Sequence, residues 1–141
     1  MTSPSHELQV AIVTRLKDDT GVAVLVSRRV YDDVPSEDYR IARTGGSWPY
    51  VSMGPSDETS DNADCIDGFE ITVQIDVWSQ DVGYPEARRI ADAVRRALKA
   101  DLVLTDNAMV SFEHRITRYL PDPNPLVRRA AMTFTALVEQ P

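Results

Sequence analysis

Two histidines, one cysteine, a run of acids and a cluster of arginines are the residues of this chain whose types could do chemistry. His6 stands in what reads as the first turn of a helix. His114 alternates with Phe112 and Ile116 on the apolar side of a predicted strand, where a lone histidine is expected to be a hydrogen-bonded structural residue. Neither has a Cys or His neighbour at metal-ligand spacing, so no zinc site is expected. Cys65 lies among carboxylates, which disfavour the thiolate that a nucleophile needs. Asp57, Glu58, Asp61, Asp64 and Asp67 do not follow the D-x-[DN]-x-[DN]-G order of a calcium loop. "TGGS" (Thr44 to Ser47) lacks both the phosphate-loop spacing and a following helix, so its glycines are expected only to permit a turn. Arg88, Arg89, Arg95 and Arg96 fall on one predicted helix with Asp92 among them. They read as a solvated face, and as a site for an acidic protein partner before nucleic acid. No acid, base and nucleophile converge, so the chain is expected to be no enzyme and to carry no cofactor or metal.

The bulk numbers agree with a non-catalytic globular protein. A chain of 141 residues is the size of one domain and can bury about 68–70% of its unfolded surface. It needs no metal or disulfide to hold it together, and its single cysteine cannot form an internal bridge. A net charge of −7 argues against a free-standing duplex-DNA binder. No apolar run is long enough to span a bilayer, and the N-terminus lacks the pattern of a secretory signal. A soluble protein made inside the cell, with no membrane partner, is expected.

The elements that must position these residues follow from periodicity. Ser3 followed by Pro4 is a helix start, and Leu8, Ala11, Ile12 and Leu16 recur at helical spacing. "DDTG" (Asp18 to Gly21) is expected to end that helix, with Gly21 as its permissive residue. Val22 to Val26 fits a helical turn or a strand equally. Short strands are expected at Arg29 to Pro35 and Trp48 to Gly54, with a polar loop from Ser36 to Ser47 between them. Pro55 to Asp67 carries five acids and no base, which predicts an exposed, flexible acidic loop. Pro85 opens the best helix, with Ala87, Ile90, Ala91, Val94, Ala97 and Leu98 in one stripe. Asp92 is spaced to pair with Arg88 and Arg96. Two more strands are expected at Met109 to Leu120, with Val110, Phe112, His114 and Ile116 on one face, and at Leu126 to Val138. "PDPNP" (Pro121 to Pro125) joins them as a stiff turn. The fold class is α+β: a mainly antiparallel sheet with two principal helices packed on one face, forming one domain over residues 1–141.

Between the acidic run and the best helix lies "GFEITVQIDVWSQD", Gly68 to Asp81. Its apolar side, Phe69, Ile71, Val73, Ile75 and Val77, is expected to pack on the Pro85 helix. The other side presents Glu70, Thr72, Gln74, Asp76 and Trp78. With no base, nucleophile or metal ligand beside it, that side has no claim to be an active site, and Trp78 reads equally as a partly buried residue or as an interface anchor.

"RVYDDVP" at 29–35, "WPYVSMG" at 48–54, "ITVQIDVWSQDVGYPEARRIADAVRRAL" at 71–98 and "RRAAMTFTALVE" at 128–139 together resemble the small tail-completion, or tail-terminator, proteins of long-tailed bacteriophages and gene transfer agents. The resemblance spans about Leu8 to Glu139, and the strand ending in V-W-S followed by the E-A-x-x-I-A-x-x-V helix is its most telling part. It implies a structural ring, typically of six subunits, that stops tail-tube growth and joins the tail to the head connector. Its implied partners are further copies of itself, the tail tube protein and the connector or stopper protein, with DNA passing through unbound. The implied location is the head-proximal end of the virion tail, after synthesis in the bacterial host cytoplasm. No catalytic residues come with the resemblance.

A closed ring needs two different complementary patches on each subunit. The Arg88/Arg89/Arg95/Arg96 face and the acids Asp57, Glu58 and Asp61 are candidates for that pair, or for docking to an adjacent ring. An acidic lumen would keep DNA from sticking, and in such a ring the polar face with Glu70, Asp76 and Trp78 is expected to meet a neighbouring subunit or the channel. The competing expectation is a small α+β ligand-binding or regulatory oligomer, with a pocket on the polar sheet face near His114 or Trp78.

Overall fold

A computed structural model describes residues 2–141. The elements run α1 (Pro4–Asp18), α2 (Thr20–Val26), β1 (Val30–Tyr31), α3 (Glu37–Thr44), β2 (Tyr50–Ser60), β3 (Asp67–Ser79), α4 (Pro85–Lys99), β4 (Ala108–Pro121) and β5 (Arg128–Gln140). One sheet has the order β1-β2-β3-β5-β4, and every pairing is antiparallel except β1 with β2. The expected α+β class is therefore the observed one.

The core forms where alternation on the strands meets the helical stripes. Ile71, Val73, Ile75 and Val77 of β3 share a buried face with Ala130, Met132, Phe134, Ala136 and Val138 of β5. Against it lie Ala87, Ile90, Ala91, Val94, Ala97 and Leu98 of α4, as their spacing predicts, and Leu8, Ile12 and Leu16 of α1 join the same cluster. Each fully buried Ile, Leu or Val contributes about 1.5–3 kcal/mol of burial free energy. The α4 stripe and its sheet face thus form a continuous part of this core.

Several local expectations are corrected. α1 does end at Asp18, but Asp19 is the break rather than Gly21: its carboxylate accepts from Val22 N–H at 3.0 Å and caps α2, so Val22 to Val26 is helical and Gly21 lies inside that helix. Ser36 to Ser47, expected as a loop, contains α3. The Ser36 hydroxyl accepts from Tyr39 N–H, Glu37 and Asp38 occupy the first turn, and Gly45 closes the helix at φ 79°. This helix lacks an apolar stripe and is held by polar contacts instead, which is why periodicity misses it. The acidic loop of Pro55 to Asp67 is mostly strand: β2 continues to Ser60 and β3 starts at Asp67, leaving only 61–66 as the turn. Thr59 and Ser60 pair with Glu70 and Phe69, so ladder hydrogen bonds hold the acids apart on opposite faces. On β4, register shifts at Met109/Ser111 and His114/Ile116 insert extra residues. Val110 and Ile116 therefore leave the inner face and are 58% and 42% exposed, while Phe112 and His114 stay on it. β5 begins at Arg128, after the proline-locked turn, rather than at Leu126.

Two polar clasps fix the helical layer. Arg15 of α1 donates to the carbonyls of Ala97 (2.9 Å), Ala100 (3.2 Å) and Asp101 (2.8 Å), satisfying acceptors that the end of α4 leaves open. Glu7 accepts from the backbone N–H groups of Asp106 and Asn107, from the Asn107 side-chain amide and from the Thr105 hydroxyl, at 2.9–3.1 Å. These donors, the Asp106 N–H foremost, hold the Glu7 carboxyl down at about 2.

A folded-state pKa below the unfolded value means that Glu7 stabilises the fold fully above about pH 4.5, and that this contribution is lost as pH falls toward 2. Wild type is expected to be more stable than Glu7→Gln at pH 7 by urea denaturation, with the gap closing between pH 4.5 and pH 2. Arg15→Ala is expected to cost about 1–3 kcal/mol in the same assay.

Candidate functional site

The side of the sheet opposite the helices is where the sequence places an interaction surface. Its polar residues on β3 behave differently from one another. Glu70 is exposed, as expected. Asp76 is only 3% exposed: it accepts from Arg129 Nη2 at 3.0 Å, Arg129 Nε at 3.2 Å and Gln74 Nε2 at 3.0 Å. Arg129 stands directly across from Trp78 in the β3–β5 register and next to the Ala131 that faces Asp76, so one guanidinium reaches both. It lies 4.9 Å over the Trp78 ring, whose Nε1–H donates to Ser52 Oγ at 2.9 Å. Asp76 is therefore a structural ion-pair partner rather than a free anion, and Trp78 is tethered at both ends.

Trp78 continues into an aromatic row. Its ring lies 6.2 Å from that of Tyr50, which lies 4.8 Å from Trp48. Arg40 of α3 stacks on Tyr50 at 4.8 Å and donates to the carbonyls of Ser47 and Pro35. Arg29 donates to those of Pro49 and Trp48. Both arginines are under 9% exposed and, among the described residues, form no ion pair, and burial lowers the Arg29 pKa. Their carbonyl partners fasten the 35–49 segment beside the sheet. Gly54 explains another close approach: a Cβ there would lie 2.7 Å from Asp76 Oδ2.

The arginine cluster of α4 does not act as one patch. Asp92 pairs with Arg95 (3.0 Å) and Arg96 (2.5 Å), and the Arg95 hydrogen bond leads in lowering its pKa. The expected Arg88–Asp92 pair is absent. Arg88 instead lies 4.1 Å over the Tyr119 ring, with Tyr84 at 5.9 Å, because the helix brings it beside the end of β4. Arg89 is exposed and, among the described residues, makes no ion pair.

Asp57, Glu58 and Asp61 are also exposed. Asp57 shares the uncovered sheet face with Thr72, Glu58 points to the other side with Ile71, and Asp61 enters the turn, its N–H donating to the Gly68 carbonyl. Among the described residues, no group of three or more His, Cys, Asp or Glu is placed to hold a metal ion. His114 hydrogen-bonds Thr117 Oγ1 at 2.7 Å and meets the Phe134 ring edge-on. Partial burial and the nearby Arg95 charge lower its pKa. Among the described residues no carboxylate hydrogen-bonds its ring, and the hollow beside it, about 330 Å³, is bounded by Arg95, Leu98, Lys99, Phe112, Glu113 and Phe134. A larger open groove of about 670 Å³ lies between α1 and residues 101–105, away from both His114 and Trp78. Cys65 is exposed in the 61–66 turn at φ 63°.

Sequence reasoning missed Arg40, Tyr50, Ser52 and Arg129 as parts of the uncovered face. The alternation of β5 places Arg129 opposite Ala130, but only strand order puts it next to β3.

Asp76→Ala is expected to cost about 1–3 kcal/mol, because it strands a half-buried guanidinium. Glu70→Ala should stay within about 0.5 kcal/mol. Equilibrium denaturation of the two variants, compared at the same pH, checks the difference.

Two comparisons with known proteins find likeness along nearly the whole chain. The family model for tail completion protein gp17 matches residues 10–139. A chain in the solved structure titled "Virion of native gene transfer agent (GTA) particle" is 29% identical, with a TM-score of 0.86 over 99% of this chain and 99% of that one. No curated protein matches. Matched along nearly its whole length, the chain belongs to the tail completion protein gp17 family and is a structural protein of the phage-tail type.

Proposed function

We propose that the chain is a tail terminator: a ring, of six subunits, that caps the tail tube at its head-proximal end, docks to the head connector and leaves a channel through which DNA passes. The observation that carries this reading is the whole-length likeness, in both directions, to a chain of a gene transfer agent virion. The same likeness supports treating the entire chain as one such unit.

The surface chemistry fits a role in assembly. The polar groups of the uncovered face are spent on one another, Asp76 on Arg129 and Trp78 on Ser52, which makes a firm wall rather than a reactive pocket. Glu70, Arg89, Arg96, Asp57, Glu58 and Asp61 remain exposed for contacts with neighbouring copies, the tube or the connector. Arg88 and Arg95, already tied to Tyr119 and Asp92, serve better as fixed parts of a contact surface than as mobile charges. Six copies of 15.7 kDa make a ring of about 94 kDa. A net charge of −7 per subunit repels DNA phosphates and favours passage over binding.

Electron microscopy of particles produced without this gene tests the reading. Tails of irregular length, unattached to filled heads, are expected; normal tails joined to filled heads would overturn it.

A further inference from the structure

The sheet ends in two strands with no hydrogen-bonded neighbour beyond them. β4 is one edge along all 14 of its residues. β2 is the other edge beyond Ser52, because β1 covers only Val51 and Ser52. An open edge is a row of unpaired backbone donors and acceptors, ready to pair with another strand. The bulges of β4, and Pro55 with the register shift of β2, interrupt these rows without covering them.

Charge tells the two edges apart. The open part of β2 carries Asp57 and Glu58 and leads into Asp61, and among the described residues no cation pairs with any of them. β4 carries Arg115, bound to Glu113 at 3.1 Å, and Arg118, which among the described residues makes no ion pair. Lys99, at the end of α4, adds a second positive charge near Glu113. One edge is acidic and bare, and the other is net basic with exposed Val110 and Ile116.

Strand direction completes the argument. From β2 through β3 and β5 to β4 every pairing is antiparallel, so β2 and β4 of one copy run in opposite directions. A neighbour brought alongside by rotation about an axis near the strand direction keeps its own directions. Its β2 then lies antiparallel to the first copy's β4, the more stable way to extend a sheet. Pairing β4 with β4, or β2 with β2, would instead set like charges side by side.

We infer that copies of this chain join edge to edge, the acidic β2 of one against the basic β4 of the next. The contact uses two different surfaces, so it propagates head to tail and can close into a ring. It rests on the ring reading above and adds which surfaces seal the ring. The helices then form one wall of the ring, and the uncovered face of β3 and β5 forms the other.

Two charge reversals test it. One variant carries Asp57→Lys with Glu58→Lys; the other carries Arg115→Glu with Arg118→Glu. Each alone is expected to lose the ring in native mass spectrometry, with a subunit dissociation constant raised at least about tenfold. An equal mixture should regain rings in which the variants alternate, since each supplies the charge its partner now needs. Rings as stable as wild type from either variant alone, or a mixture that stays dissociated, would sink the edge pairing and leave the ring reading standing. A wild-type chain that stays monomeric up to millimolar concentration counts against the edge pairing but not against the ring reading, since a terminator that assembles only on the tail tip is monomeric in free solution; the particle imaging decides that reading. Circular dichroism checks that each variant folds. Should a reversal unfold the chain, Asp57→Asn with Glu58→Gln takes its place: its rings must respond less to salt than wild type, and an unchanged response counts against the proposal.

Discussion

The packing of α4 on β3 and β5 is the contact on which the rest of the structure depends. Small residues, Ala87, Ala91 and Ala97, let the helix approach the sheet, while Ile90, Val94 and Leu98 fill the space between alanines. α1 and α2 pack against this helix in turn, and Arg15 ties α1 to its last carbonyls. With three helices gathered on one side, the sheet has one covered face, one bare face and two open edges. That asymmetry suits a protein whose work is to stand between others.

A bare sheet face in water must still satisfy its polar groups. Here Asp76, Arg129, Gln74, Ser52 and Trp78 do so mutually, and the aromatic row from Trp48 to Trp78 gives them an apolar floor. Removing either charge would leave the other half-buried and uncompensated, so the network gives shape and stiffness rather than chemistry. The same thrift governs the 35–49 segment, where buried Arg29 and Arg40 donate to backbone carbonyls, Arg29 also to the Thr44 hydroxyl, and Arg40 stacks on Tyr50. Membership of the tail completion family agrees with a structural role for the protein.

Much of the fold was legible because burial imposes periodicity. The stripe of α4 and the alternation of β3 and β5 can be read residue by residue, since each apolar side chain there is paid for by the same core. The Ser3–Pro4 start of α1 was equally plain, because a cap is a local interaction. α3 was illegible: its stability comes from Ser36, Gly45 and the reach of Arg40 to Tyr50, none of which leaves an apolar period. The strand character of Asp57 to Ser60 was hidden for a related reason. Its acids argue for solvent, and solvent is where they are, but ladder bonds to β3 set the backbone.

The sequence by itself determined the class of the fold, the face of β3 that is buried and the family, because each of these follows from local pattern or residue type. Tertiary structure alone decided that Asp76 is a buried ion-pair partner while Glu70 is free, that Arg88 leaves Asp92 for Tyr119, and that bulges turn Val110 and Ile116 outward. Those outcomes depend on which strand lies beside which and in what register. Neighbours of that kind are far apart along the chain, so no local pattern records them.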